Sequence, residues 1–145
     1  MTQSTDSRDA VYAFMQNRLG YTDDELKQFK KSARNWKILE KAGELVNKTV
    51  IFEVVQSSGC NIEHKVGDQV IFSAEGYMLA HKCPKKICPY ILPAMSRLMW
   101  IIQERIYEGA DPRPYFYKAH CEDVGIDCGG WGRVVIEAKI VDRQR

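Results

Sequence analysis

Residues 49–55 read Thr-Val-Ile-Phe-Glu-Val-Val. β-Branched and aromatic side chains fill most of these positions, and such side chains suit a pleated, packed surface. The run predicts a strand, and its near-continuous apolar character predicts cover on both faces. The sequence before it has another period. Val11, Phe14, Met15 and Leu19 fall on one face of a short helix, with Asp6 as its N-cap and Gly20 as its stop. The first five residues are expected to fray. Thr22-Asp-Asp-Glu25 is a capping-box pattern that opens a second helix carrying Leu26 and Phe29. Trp36, Leu39, Ala42 and Val46 stripe a third, which begins near Ser32 or Asn35.

Beyond the strand, Ser57-Ser-Gly-Cys60-Asn61 ends it and Lys65-Val-Gly-Asp68 reads as a turn. Gln69–Ser73, the Glu75-Gly76 turn and Tyr77–Ala80 predict two further strands in a hairpin. A loop punctuated by two Cys-Pro dipeptides leads into a long helix with Leu92, Met95, Met99, Ile102 and Ile106 on its apolar positions, ended by Gly109. Pro89 suits its first turn. Pro93 fits less well, so the regular helix starts there or is kinked. Met95, Met99 and Trp100 read as core packing. Tyr115–Ala119 is a short strand candidate. Val134–Val141 is the last strand, with Val134, Ile136, Ala138 and Ile140 on one face. The order predicts an α+β fold: an N-terminal helical layer (1–48) packed on a small, mainly antiparallel sheet crossed by one long helix (49–145), one structural domain overall.

Composition narrows the function classes. The 145 residues suit one core. Lys plus Arg is 21 against 19 Asp plus Glu, a net charge of +2, which argues against charge-driven nucleic-acid binding and a polybasic membrane clamp. The longest apolar stretch, Tyr90 to Ile102, is broken by Ser96 and Arg97, too short for a membrane span. The first nine residues lack the apolar segment of a secretory signal. Five cysteines without an export signal point to a reducing, cytoplasmic setting, as free thiols, metal ligands or catalytic groups.

Four of those cysteines pair by position. Cys83 and Cys88 enclose four residues, Cys121 and Cys128 enclose six, and the two loops flank the long helix. Four thiolates from two loops can hold zinc or an iron–sulfur cluster, and soft sulfur argues against calcium and magnesium. The Cys-Pro dipeptides tilt the choice toward iron–sulfur, since Pro follows the last ligand of the bacterial ferredoxin run. Cys60 and His64 add two further donors at a strand end. Any one cysteine alone reads more simply as a small buried hydrophobe. Four of them in loops need another reason, and a metal would fix those loops.

Cys88 has a second reading. At the N-cap of the long helix, beside Lys85 and Lys86, its thiol pKa would fall and it would become a nucleophile, with His64, His81 or His120 as base. A third reading is a nucleic-acid-binding zinc module. Tyr115-Phe-Tyr-Lys118 could stack bases, although a half-buried strand explains it better. Three glycines in Gly129-Gly-Trp-Gly132 mean close backbone approach or positive φ, and no helix follows to make a phosphate loop. The leading expectation is a metal-binding protein, iron–sulfur or zinc. It would be an accessory subunit with a protein partner or a homo-oligomer, with no membrane and no nucleic acid.

The string Cys60-Asn-Ile-Glu-His64-Lys-Val-Gly-Asp68, Cys88-Pro89 opening a helix, Cys121-Glu-Asp123 and a closing strand together resemble a family of small bacterial and archaeal proteins, mostly from anaerobes. The resemblance spans residues 49–141 and implies a compact α+β fold; the family has no established activity. It implies Cys60, Cys88 and Cys121, with His64, as the common centre. Cys83 and Cys128 would then be additional ligands or neighbours of it.

Overall fold

The computed structural model describes residues 5–143. The frayed start expected for the first five residues therefore falls outside them, save that Thr5 already opens a helix. The chain forms two compact units, one up to Lys41 and one from Ala42 onward. No helix among the described residues is long and apolar enough to cross a membrane.

The first unit holds α1 (Thr5–Leu19), α2 (Asp23–Lys30) and most of α3 (Ala33–Val46). Asp6 lies inside α1 and so is not its N-cap. Gly20 ends α1 as expected: its φ of +69° lets the Tyr21 N–H reach back to the Gln16 carbonyl. The capping box forms, with Thr22 Oγ1 accepting the Glu25 N–H and Glu25 accepting the Thr22 N–H. The Thr22 N–H, and then the Thr22 hydroxyl, which also donates to Glu25 Oε2 at 2.9 Å, hold the Glu25 carboxyl below its ordinary pKa. The apolar stripe of α1 is narrower than expected. Met15 is buried, but Phe14 and Leu19 are exposed. Tyr12 does more of the packing, tilted against Trp36 at 5.5 Å and edge-on to Phe29 at 6.4 Å.

The second unit is a four-stranded sheet, wholly antiparallel, of order β2-β1-β4-β3. Its strands are β1 (Lys48–Ser58), β2 (Gln69–Ser73), β3 (Lys118–His120) and β4 (Arg133–Asp142). The α+β class holds. Val50, Phe52 and Val54 of β1 and Val134, Ile136 and Ala138 of β4 point to one face and are buried. The helix α4 (Leu92–Tyr107) joins them in one core through Ala94, Met95, Leu98, Met99, Ile102 and Ile106, with Leu45 from the end of α3. β1 is not covered on both faces: Ile51, Glu53 and Val55 are only half-buried. Glu53 accepts from Gln69 and pairs with Lys139 at 3.2 Å, an arrangement suited to a wet face.

Four further expectations shift. Tyr77–Ala80 is no strand; only Met78 bridges to Phe72, and Ala80–Lys82 is a 3-10 turn. Tyr115 and Phe116 are 86% and 87% exposed, and β3 begins only at Lys118, so the half-buried strand is shorter. Trp100 is 68% exposed, not core. Pro89 lies ahead of α4, not in its first turn, and Pro93 falls in that first turn, where no intrahelical donor is needed. The helix closes at Gly109 as expected, with φ +72° and the Ala110 N–H on the Arg105 carbonyl.

Candidate thiol site

Three chain segments end at one side of the sheet and enclose a cavity of about 330 Å³. The first leaves β1. A bulge between Val54 and Gln56 shifts the pairing with β4 by one residue and re-aims the end of the strand. Beyond it Glu63 has φ +64°, the one positive φ outside glycine among the described residues. Backbone strain of this kind concentrates at functional sites. It turns the chain between Cys60 and His64, and both line the cavity. The second segment is Cys88–Ile91, ahead of α4. The third runs from Cys121 to Val134.

Each segment is tied to the next. The Cys88 N–H donates to His64 Nε2 at 3.1 Å, joining the first to the second. The Glu122 N–H donates to the Tyr90 carbonyl at 2.9 Å, joining the second to the third. Gly59 and Gly132 close the ring by backbone contact. A Cβ on Gly132 would run into the Ser58 carbonyl and the Gly59 backbone, so only glycine fits there. The loops therefore have hydrogen-bonded reasons to be fixed, beyond the metal invoked from sequence alone.

His64 is buried, and its bond to the Cys88 N–H assigns Nε2 as acceptor and the proton to Nδ1. Nδ1 faces Asp68 Oδ2 at 3.9 Å, and the His64 carbonyl accepts from Ser57 Oγ at 2.6 Å. The imidazole thus holds the backbone of Cys88, and its Nε2 lone pair is already engaged. Cys121 is also buried; its Sγ accepts the Val134 N–H at 3.4 Å. Asp123 accepts N–H groups from Gly125, Trp131 and Gly132 at 2.9–3.3 Å. The Gly125 bond is the largest cause holding its carboxyl below the ordinary range; the Trp131 and Gly132 bonds and nearby Arg133 act in the same direction, against a smaller effect of burial. This carboxylate folds the 124–131 loop onto itself. The glycine expectation is met in both senses, since Gly129 has φ +86° and Gly130 sits against Asp123 and Gly125.

The six expected donors divide. Cys60, His64, Cys88 and Cys121 line one cavity. Cys83 does not: its thiol sits on the edge of β2, accepting the Ile71 N–H and donating to the Leu79 carbonyl, both at 3.3 Å. Cys128 is exposed in a 3-10 turn and lies outside the cavity lining. Cys88 is not the N-cap of α4, which is Ile91; the Ile91 N–H bonds back to the Cys88 carbonyl in a preceding turn. The helix-terminus argument for a depressed thiol pKa therefore loses its geometry. The candidate bases are also elsewhere engaged. His81 lines a separate depression with Lys48, Ser73 and Arg143, and His120 Nδ1 lies 2.6 Å from the Cys121 carbonyl. Among the described residues, no three His, Cys, Asp or Glu side chains stand close enough to hold a single metal ion. Arg133, Tyr90 and Trp131 also border the cavity, and nothing in their sequence context marks them as part of it. No protein-family model, curated protein or solved structure matches the chain.

Proposed function

We propose that this chain binds an iron–sulfur cluster through Cys60, Cys88 and Cys121 and serves as an accessory subunit or partner of a larger enzyme. The observation that carries the proposal is the convergence of three thiols, from three separate segments, on one cavity of about 330 Å³. Zinc bound by thiolates needs every sulfur about 2.3 Å from a single point. A cluster spreads its irons and accepts thiols that stand further apart. The Val134 N–H on Cys121 Sγ supports the same reading, since hydrogen bonds to ligand sulfur tune such centres.

The test is anaerobic purification followed by iron, sulfide and zinc analysis and visible absorbance. A brown protein with matching iron and sulfide is expected. It should lose colour in Cys60→Ser, Cys88→Ser and Cys121→Ser, and keep it in Cys83→Ser and Cys128→Ser. A colourless protein without iron would refute the proposal, and stoichiometric zinc would replace the cluster with an ion.

A further inference from the structure

We infer that a second site lies at the opposite end of β1 from the thiols: a donor-rich depression that takes a dianionic phosphate group, free or as the monoester of a small molecule. It shares no lining residue with the thiol cavity and is independent of what that cavity binds.

The depression has a volume of about 190 Å³ and gathers basic side chains from three segments. Lys48 opens β1, His81 and Lys82 lie in the 3-10 turn, and Arg143 follows β4. Backbone hydrogen bonds fix each segment. The Arg143 N–H donates to the Asn47 carbonyl at 2.7 Å, the Ala74 N–H to the Lys48 carbonyl at 3.0 Å, and the Lys82 N–H to the Leu79 carbonyl at 2.9 Å. The basic groups are therefore brought together by backbone that is already paired, before any ligand arrives. Thr49 and Tyr77 add hydroxyl donors. The third hydroxyl, Ser73 Oγ, is spent on Glu75 at 3.2 Å.

Charge decides the class of ligand. No carboxylate lines the depression among the described residues. Asp142 pairs with Lys48 at 3.1 Å, from a side chain that is 90% exposed. Among the described residues no carboxylate pairs with Lys82 or Arg143. Once Asp142 is set against Lys48, two full positive charges remain, as many as the net charge of the whole chain, +2. Like charges gathered in this way repel one another, and a bound anion relieves the repulsion. A phosphate monoester carries about −1.5 to −2 charge at pH 7 and three acceptor oxygens. That matches two uncompensated cations and donors converging from three segments. A carboxylate or a phosphodiester brings one charge. Size limits the rest: about 190 Å³ is below the roughly 300–1,000 Å³ of ordinary ligand pockets. The depression can hold the phosphate head while any organic remainder points to solvent.

The probes are glycerol 3-phosphate, inorganic phosphate and dimethyl phosphate, each titrated calorimetrically into the full-length protein in phosphate-free buffer. Saturable binding of the first two, and much weaker binding of the diester, is expected. Tighter binding of the ester identifies a small-molecule ligand and tighter binding of inorganic phosphate identifies the free ion; either supports the site. Lys82→Ala and Arg143→Ala should each raise the half-saturating concentration about tenfold. Lys86→Ala, at an exposed lysine outside the lining, should leave it unchanged. Asp142→Asn should lower it severalfold by releasing Lys48, a gain that a damaged fold cannot imitate. No saturable binding of either phosphate up to about 10 mM would overturn the inference. So would a diester that binds as well as the monoester, or a loss in Lys86→Ala equal to that in Lys82→Ala, since both would reduce the effect to surface charge.

Discussion

Cys83 and Cys88 lie in the same loop, each followed by proline, and their sulfurs do different work. Cys83 fastens backbone, taking an N–H from the edge of β2 and giving its own proton to Leu79. Cys88 borders the cavity, its backbone held by a buried imidazole. The difference teaches that spacing projects direction only where the backbone has a period. Helices and strands have one; a proline-punctuated loop does not. Proximity in sequence therefore grouped Cys83 with Cys88, while the fold groups Cys88 with Cys60 and Cys121.

The sharpest way to break this contrast is to remove each sulfur in turn. Cys88→Ser should abolish bound iron, whereas Cys83→Ser should retain it in full, as iron and sulfide analysis of anaerobic protein would show. In metal-free protein, iodoacetamide should modify Cys60 and Cys88 before Cys83, read by peptide mass mapping. Equal loss of iron in both variants would erase the distinction.

The next effect concerns the wall of the cavity. Gly132→Ala places a methyl group against the Ser58 carbonyl and should cost about 3 kcal/mol, measured by urea unfolding. Cys83→Ala removes a half-buried sulfur and its backbone bonds, and should cost about 1 kcal/mol with iron retained. Gly43, inside α3 with open space where a Cβ would stand, should behave oppositely. Gly43→Ala should stabilise by about 0.5–1 kcal/mol, through helix propensity alone.

The smallest effect is a local response to acid. The Asp123 carboxyl is held below its ordinary value near 3.8 by the backbone N–H of Gly125 first, then of Trp131 and Gly132. A folded pKa below the unfolded one gives stability that is present above the unfolded value and lost as pH falls through the folded one. The 124–131 loop should therefore loosen only below about pH 4. Trp131 fluorescence, isolated by difference against Trp131→Phe, would report it, and Asp123→Asn should flatten the transition.

Much of the fold was legible because its signals are local. The capping box at Thr22, the glycine stops at 20 and 109, and the alternation from Val134 to Ile140 each depend on neighbours a few residues away. Trp100 misled because apolar residues continue around α4 beyond the face that packs, and only the sheet decides which face that is. The site was legible in part. Of the six donors expected from sequence, Cys60, His64, Cys88 and Cys121 line the cavity. The role of His64 was not legible, because its partner is a backbone N–H 24 residues away. Backbone groups are the same at every residue, so no residue type announces such a bond. Arg133 and Tyr90 reach the site through strand register and a turn, neither of which has a compositional mark.

The central pairing of the sheet also sets an order of events. β1 lies between β2 and β4, and Lys48 meets Asp142 across 94 residues. The β1–β2 hairpin can close as soon as residue 73 is made, while the other edge of β1 stays unpaired. At about 5–20 residues per second, synthesis of the chain from there to the end of β4 takes roughly 3–14 s. Through that interval the Val-Ile-Phe-Glu-Val-Val edge is open to pairing with other chains, with Glu53 as its single charged guard. High contact order of this kind slows folding. The third wall of the cavity arrives with β4, so Cys60 and Cys88 wait as separate thiols until the sheet is complete. Loading of a metal centre would then follow synthesis of the domain, and a delivery system would meet a chain whose sheet is already closed.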